Sequence, residues 1–325
     1  MRAMRAVVVT RPGGSEVLEL EDRASPSPGA GEVLVDVAAA GVNFMDIYGR
    51  EGRAPYGRET PFVLGAEGAG TVAALGSGVS AVSVGDTVAW TGVPGSYAEQ
   101  VVVPVDKAVP VPHGVDATVA AAVLLQGCTA HYLASSTFAV SEGDVAVVHA
   151  AAGGVGLLLT QIVRLRGGVV VATTSGGQKA DLAARAGAQH VAGYEDYPDV
   201  VREVTEGAGA HVVYDGVGRA TFETSLSVLR RRGLLVLYGA ASGPVPPFDL
   251  QRLSTSGSLF VTRPTLGDYT ATRDELLRRT EELFGWIRDG QLDVRVGGTY
   301  TLADAGKAHE DLAARRTTGK LLLVP

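Results

Sequence analysis

Apolar residues along this chain fall into two kinds of pattern. In the first third they form short β-type runs broken by glycine and proline: Ala6–Val9, Val33–Val37, Gly70–Leu75 and Asp86–Trp90. Arg11-Pro12-Gly13-Gly14 and Ser25-Pro26-Ser27-Pro28-Gly29 read as turns between them. Many short strands at close spacing predict an all-β, barrel-like domain. Near residues 115–134 the pattern turns alanine-rich and helical, which suits a hinge between domains. From Asp144 to Ser242 strands and helices alternate. The predicted strands are Val145–His149, Val169–Thr173, His190–Val191, Val212–Asp215 and Leu234–Tyr238. Helices are predicted over Gln178–Ala186, Asp199–Glu206 and Phe222–Leu229. That β-α-β-α order calls for a doubly wound parallel sheet, so the fold class is α/β. After Pro264 come a helix (Asp274–Arg288), a strand, a helix (Leu302–Ala314) and a last strand, Leu321–Val324, expected to pair with the first domain.

The most informative run is Val145-Ala146-Val147-Val148-His149-Ala150-Ala151-Ala152-Gly153-Gly154-Val155-Gly156, followed at once by Leu157–Val163. An apolar β-branched strand enters a glycine-rich turn that opens a helix. In that context the turn can hold a dinucleotide pyrophosphate, because glycine lets the backbone approach and the free N–H groups of the helix start face the anion. Ala151 replaces the first glycine of the usual pattern, at a position that needs no positive φ. The alternative is an ordinary α/β turn with glycines for close packing. An NAD-specific site carries Asp or Glu about 20 residues beyond the glycines. Here the second strand ends in Thr173-Thr174-Ser175-Gly176-Gly177-Gln178-Lys179, and the next acid, Asp181, falls inside the following helix. Hydroxyls, backbone N–H groups and a lysine suit a 2′-phosphate, so NADPH is expected over NADH. The alternative for Lys179 is a solvated first-turn charge.

Composition narrows the function classes. The 325 residues suffice for two domains, and 46% hydrophobic with 19% charged residues is ordinary for a globular protein. A net charge of −7 argues against a nucleic-acid surface spread over the whole protein. The single cysteine, Cys128, rules out an internal disulfide and any multi-cysteine zinc site, and points to the cytoplasm. No uninterrupted apolar stretch reads as membrane-spanning.

Ordered motifs link the chain to a family. They are Ala40-Gly41-Val42-Asn43-Phe44-Met45-Asp46-Ile47-Tyr48, Pro61–Gly70, Val84-Gly85-Asp86-Thr87-Val88, Ala150–Gly156, Val213–Gly218, Thr262-Arg263-Pro264, Ala305-x-x-Ala308-His309-x-x-Leu312 and Thr318-Gly319-Lys320. Over nearly its whole length the chain resembles the medium-chain dehydrogenase/reductase superfamily, and within it the zinc-independent quinone oxidoreductases related to ζ-crystallin. Zinc-dependent relatives carry Cys where this chain has Asn43, and Gly-His-Glu where it has Gly65-Ala66-Glu67. Catalytic zinc needs three protein ligands, so no metal is expected.

The resemblance implies a GroES-like catalytic domain over residues 1–125, a Rossmann NADP-binding domain over 126–262, and a return to the catalytic domain over 263–325. It implies a cytoplasmic homodimer that takes a small quinone or conjugated carbonyl, with a C=C reductase as the alternative activity. A structural or RNA-binding crystallin-like role is the non-enzymatic alternative. A hydride acceptor of this kind becomes anionic, so donors must meet the developing charge. The resemblance offers Asn43, Tyr48 and Arg263, with Arg50 a weaker candidate read as a solvated loop residue. Asp46 reads as a loop-fixing carboxylate and His149 as structural. For the coenzyme it implies Ala152, Gly153, Gly154, Val155 and Gly156 at the turn. Thr174, Ser175, Lys179 and Tyr194 fall on the adenosine side, with Arg315 or its neighbour Arg316. Thr129, Tyr238, Gly239 and Phe260 complete the set. Cys128 reads as a small buried residue rather than a nucleophile.

Overall fold

The computed structural model describes residues 3–325, which form two compact units. One comprises the chain up to Leu125 with 270–289 and 294–325; the other comprises 126–269 with 290–293. The second unit therefore runs past residue 262, because the strand at 260–262 and the short helix after it stay with it.

The first unit opens with β1 (Ala3–Val9), β2 (Leu18–Ala24) and β3 (Glu32–Val42), then helix α1 (Phe44–Arg50). Next come β4 (Phe62–Val63), β5 (Glu67–Leu75), β6 (Thr87–Thr91), β7 (Gln100–Pro104) and β8 (Val109–Pro110). The alternating burial of Glu32–Ala39 is that of a strand with one face in the core. Helix α2 (Ala117–Tyr132), continued by a π-helical turn to Thr137, carries the chain out of this unit. Ala117–Thr137 is long and apolar enough to cross a membrane by length and composition alone, although Gln126, Thr129 and His131 interrupt its apolar run. It is mostly buried in the protein, as a core helix of alanines and leucines must be.

The second unit alternates strictly: β9 (Val145–Val148), α3 (Gly154–Leu165), β10 (Val169–Thr173), α4 (Gln178–Arg185), β11 (His190–Ala192), α5 (Tyr197–Val204), β12 (Ala210–Asp215), α6 (Phe222–Ser227) and β13 (Leu229–Leu237). Helix α7 (Gln251–Thr255), β14 (Phe260–Thr262) and α8 (Leu266–Tyr269) follow. Its six strands are parallel, in the order β11-β10-β9-β12-β13-β14. Strand order reverses between β9 and β12, and ligands of such sheets bind outside the carboxyl ends at that point. The strand at 229–237 begins earlier than its apolar run, because Leu229 already pairs with Ala210 before a register shift.

Helix α9 (Arg273–Arg288), β15 (Val296–Thr301), α10 (Ala305–Ala313) and β16 (Lys320–Val324) complete the first unit. Strand β16 pairs antiparallel with β3, Leu321 opposite Val42 and Leu323 opposite Ala40, so the chain's last strand sits inside the sheet that its first third builds. One core gathers Val7, Val33, Val35, Trp90, Tyr97, Leu302 and Leu323.

Candidate active site

In the second unit the glycine turn lies at the carboxyl end of β9. Ala150 holds a left-handed φ of 50°, which costs an alanine roughly 1–2 kcal/mol. Its N–H donates to the Tyr194 hydroxyl at 3.2 Å, and its carbonyl accepts from the Gly153 N–H at 2.9 Å. Ala151 is buried, and its N–H donates to the Thr173 carbonyl at 3.1 Å, tying the turn to β10. Gly156 is required by space: a Cβ there would strike the Ala150 carbonyl and come 2.7 Å from the Ala151 Cα, whereas one on Gly154 would meet only the end of the flexible Gln126 side chain. The N–H groups of the first turn of α3 have no acceptor within the helix, so the turn presents an uncapped anion cradle. Ala152 is buried beneath it, while Gly153, Gly154 and Val155 are partly exposed.

The loop after β10 fits the same ligand. The Thr174 N–H donates to the Ala192 carbonyl at 3.1 Å, and the Thr174 hydroxyl accepts from the Gly176 N–H at 3.1 Å. Ser175 is exposed and Lys179 is half-exposed in the first turn of α4. No carboxylate stands between Thr173 and Lys179 to meet a ribose 2′-hydroxyl or repel a 2′-phosphate. Tyr238 and Gly239 lie just beyond β13, and the Tyr238 N–H donates to the Asp215 carbonyl at 3.0 Å. Arg263 joins them: its guanidinium donates to the carbonyls of Leu237 and Gly239 at 3.3 and 3.2 Å. Thr129 and Cys128 are buried on α2.

Phe260 is not brought to this end of the sheet. It pairs with Leu234, which stands level with Val212 and Ala146 near the amino ends of the strands, and it is 58% exposed. Its assignment to the coenzyme is therefore corrected: a parallel strand points its first residue away from the crevice. Arg315 is exposed in the first unit, and Arg316 is paired with Asp311 at 2.7 Å.

The first unit holds a closed polar cluster around Asn43, the residue preceding α1. The Lys320 ammonium donates to Asn43 Oδ1 at 2.8 Å and to Glu67 Oε2. Asn43 Nδ2 donates to Glu67 Oε2 at 2.9 Å and to the Gly41 carbonyl at 3.3 Å. The Leu125 N–H donates to Glu67 Oε1 at 2.7 Å. Lys320 is 1% exposed and Glu67 0%. Both N–H donors of the Asn43 amide are thus used within the protein, and its oxygen accepts from Lys320. Its expected role as a donor to substrate is corrected to that of a residue held in place by a buried ion pair.

A second string of hydrogen bonds reaches the same turn. The Asn43 N–H donates to Asp46 Oδ2 at 2.8 Å, and the Tyr97 hydroxyl donates to the same oxygen at 3.1 Å. Tyr97 also contacts His309 Nε2 at 3.1 Å, and Arg50 reaches His309 Nδ1 at 3.3 Å. Arg50 has no proton acceptor of its own, so it donates to Nδ1, and His309 must donate from Nε2 to Tyr97. Burial pushes His309 down to about 3, with Arg50 adding to the effect, so the ring is neutral. Burial pushes the Asp46 carboxyl up to about 7 against the pull of its donors and of Lys320. Arg50 is corrected as well. It is 6% exposed, and also bonds the Gly13 carbonyl and Glu51, because the last turn of α1 points it inward. Tyr48, on the same helix, is half-buried between Phe44 and Tyr56, with the Arg53 guanidinium 5.6 Å from its ring.

Among the described residues no group of three His, Cys, Asp or Glu is placed to hold a metal. A dinucleotide cradle on a doubly wound sheet, carried by the same chain as a β-rich unit, defines a dinucleotide-dependent oxidoreductase. Residues 29–113 match the alcohol dehydrogenase GroES-like domain, and residues 154–280 the family described as zinc-binding dehydrogenase. The quinone oxidoreductase of Pseudomonas aeruginosa is 46% identical over 96% of this chain and 97% of its own length. The 2-haloacrylate reductase of a Burkholderia species is 37% identical, covering 98% of each. The solved structure of Escherichia coli quinone oxidoreductase complexed with NADPH superposes with a TM-score of 0.95 at 39% identity, covering 99% of this chain and 100% of that one. The chain belongs to the quinone oxidoreductases of the medium-chain dehydrogenase/reductase superfamily.

Proposed function

We propose that this protein is an NADPH-dependent quinone oxidoreductase that works without a metal. The carrying observation is the pairing of an uncapped N–H cradle at the start of α3 with an acid-free, hydroxyl- and lysine-bearing loop after β10. The bound coenzyme supplies a hydride. The first-turn N–H groups of α3, from Gly154 to Gly156, hold the pyrophosphate with Ala152 and Gly153 shaping the approach. Thr174, Ser175 and Lys179 take the 2′-phosphate, and Tyr194 packs on the adenine side. Tyr238, Gly239 and Thr129 serve the nicotinamide half. The acceptor needs one proton for each hydride, and a hydrogen bond while its oxygen gains charge. Tyr48 supplies that donor. Arg263 supplies fixed positive charge at the edge formed by Leu237 and Gly239. Asn43 shapes the loop in front of α1.

The protein is proposed to act in the cytoplasm, as a homodimer. Reduction of a conjugated C=C bond is the second reading, favoured by the kinship with a 2-haloacrylate reductase. It uses the same hydride and the same donor at the carbonyl oxygen.

The test pairs fluorescence titration of NADPH and NADH with rates on a simple quinone and a conjugated enone. NADPH should bind more tightly, and Tyr48→Phe should lower kcat on the better acceptor by about tenfold to a hundredfold while leaving NADPH affinity within twofold. Equal affinity for the two coenzymes, or full kcat in the variant, overturns the reading.

A further inference from the structure

Three carboxyl-terminal loops of the parallel sheet are fastened by one string of buried side chains that the proposed reaction does not use. His149 is fully buried at the end of β9. Its Nδ1 lies 2.8 Å from the Thr173 hydroxyl, on the last residue of β10. Its Nε2 lies 2.9 Å from the Ser225 hydroxyl on α6. Ser225 donates to Asp215 Oδ2, at the end of β12, at 3.0 Å. Thr221 donates to the same oxygen at 2.7 Å, and the N–H groups of Val217 and Gly218 donate to Oδ1 at 2.8 and 2.9 Å.

The direction of every bond follows. The carboxylate of Asp215 accepts from four donors, so the single hydroxyl proton of Ser225 is committed to it. Ser225 therefore accepts from His149, whose proton sits on Nε2. Nδ1 is then an acceptor, and Thr173 donates to it. One tautomer of His149 satisfies the whole string. The Tyr194 and Tyr197 rings pack against the imidazole at 5.8 and 5.0 Å between centroids.

We propose that His149 is a positioning residue for coenzyme choice: by bonding Thr173 it sets the height of the loop Thr174–Lys179 against the glycine turn at 150–156. The two segments approach the same ligand from neighbouring strands. Beyond the ladder that pairs Val145–Val148 with Val169–Ala172, the backbone tie at this end is the Ala151 N–H to the Thr173 carbonyl. Thr173 is followed directly by the hydroxyls and lysine assigned to the 2′-phosphate. With the ladder fixed up to Ala172, loss of the imidazole's bond frees the end of β10 from Thr173 onward, which moves those groups while leaving the pyrophosphate cradle on α3 in place. The imidazole thus bears on the discrimination between coenzymes more than on dinucleotide binding as such. This rests on the reading that the loop takes the 2′-phosphate.

The test uses Thr173→Val, which keeps the branched shape of the strand residue and removes the hydroxyl proton given to Nδ1. Ser225→Ala is the second variant, cutting the string at its other end. Dissociation constants for NADPH, NADH and 2′,5′-ADP are measured by titration of the apoprotein, with thermal unfolding as a control. Both variants should weaken NADPH and 2′,5′-ADP by about tenfold and NADH by less than about twofold, since one misplaced charge-assisted contact carries that much. Lys179→Ala provides the reference for the loop. If it lowers NADPH affinity while Thr173→Val and Ser225→Ala leave the ratio of NADPH to NADH affinity unchanged, the positioning role of His149 is refuted. Equal weakening of both coenzymes refutes it too, as that is the mark of a purely structural residue. If Lys179→Ala leaves the ratio unchanged, the loop reading has failed and the proposal falls with it.

Discussion

Replacing Lys320 by methionine should destabilise the first unit by about 3 kcal/mol. The ammonium is 1% exposed and is held by Glu67 and by Asn43 Oδ1. Methionine fills most of the same volume, so the perturbation is the loss of one charge. Breaking a buried pair by removing one partner costs about 3–5 kcal/mol, because the other charge stays in low dielectric. Glu67 keeps two donors, the Leu125 N–H at 2.7 Å and Asn43 Nδ2 at 2.9 Å, which places the cost at the lower end of that range. The pair as a whole is a different matter. Desolvation offsets most of its Coulomb attraction, so the double variant Lys320→Met with Glu67→Gln should return to within about 1 kcal/mol of the unmodified protein. Urea unfolding followed by tryptophan fluorescence reports on the right part of the molecule, since Trp90 and Trp286 both lie in the first unit. A loss below about 1 kcal/mol in the single variant, or a double variant no more stable than the single, would show that the contact is not an ion pair whose partners depend on each other.

Two further outcomes follow from the buried histidines and from the donor set. Burial pushes His309 down to about 3 and His149 down to about 4, both below the ordinary value of 6.5. The unfolded chain therefore binds protons that the folded chain refuses once the pH falls below 6.5. Asp46, pushed up to about 7 by burial, works the other way, since below that pH the folded chain holds a proton that the unfolded one binds only near 3.8. Stability should therefore fall on acidification from about pH 6 toward pH 4.5 with a net slope of about one proton, roughly 1.4 kcal/mol per pH unit. Denaturant midpoints at pH 7, 6, 5 and 4.5 give the slope, and a flat profile would show that the two rings are solvated. Dialysis against a chelator should leave turnover unchanged, because Asn43 and Ala66 cannot bind zinc; a loss restored by added zinc would refute the metal-free reading.

The parallel sheet was readable because each strand is a short β-branched run bounded by its own turn residues. Val169–Thr173 is predicted and observed with the same ends. The glycine turn was readable because its steric demands are local: Gly156 faces Ala150 and Ala151, a few residues away. The polar cluster of the first unit was not. Lys320 meets Glu67 and Asn43 across most of the chain, and a terminal lysine before an apolar strand carries no sign of where its ammonium points. Its scarcity was the available signal, since the chain has only Lys107, Lys179, Lys307 and Lys320. Arg50 was hidden by its neighbours. Gly49-Arg50-Glu51-Gly52-Arg53 reads as a solvated loop, yet the helix carries Arg50 one residue further, onto the face that meets His309. Phe260 was misplaced because motif order says which strand a residue joins but not its level along that strand.

The exchange of a cysteine position for Asn43 is more than the loss of a ligand. An amide offers two donors and an oxygen with two lone pairs; here a glutamate and a backbone carbonyl take both donors, and a lysine takes one lone pair. Lysine and glutamate cancel in charge, so the cluster is neutral as a whole. Such a neutral cluster holds its backbone firmly, and both N–H groups of the Asn43 amide are spent inside it. On α1 the side chain that follows Asp46 by two residues, Tyr48, combines partial exposure with a phenolic proton. Under the proposed reading, cluster and phenol divide the work that a metal and its ligands would otherwise share: the first fixes the start of the helix, and the second offers the proton.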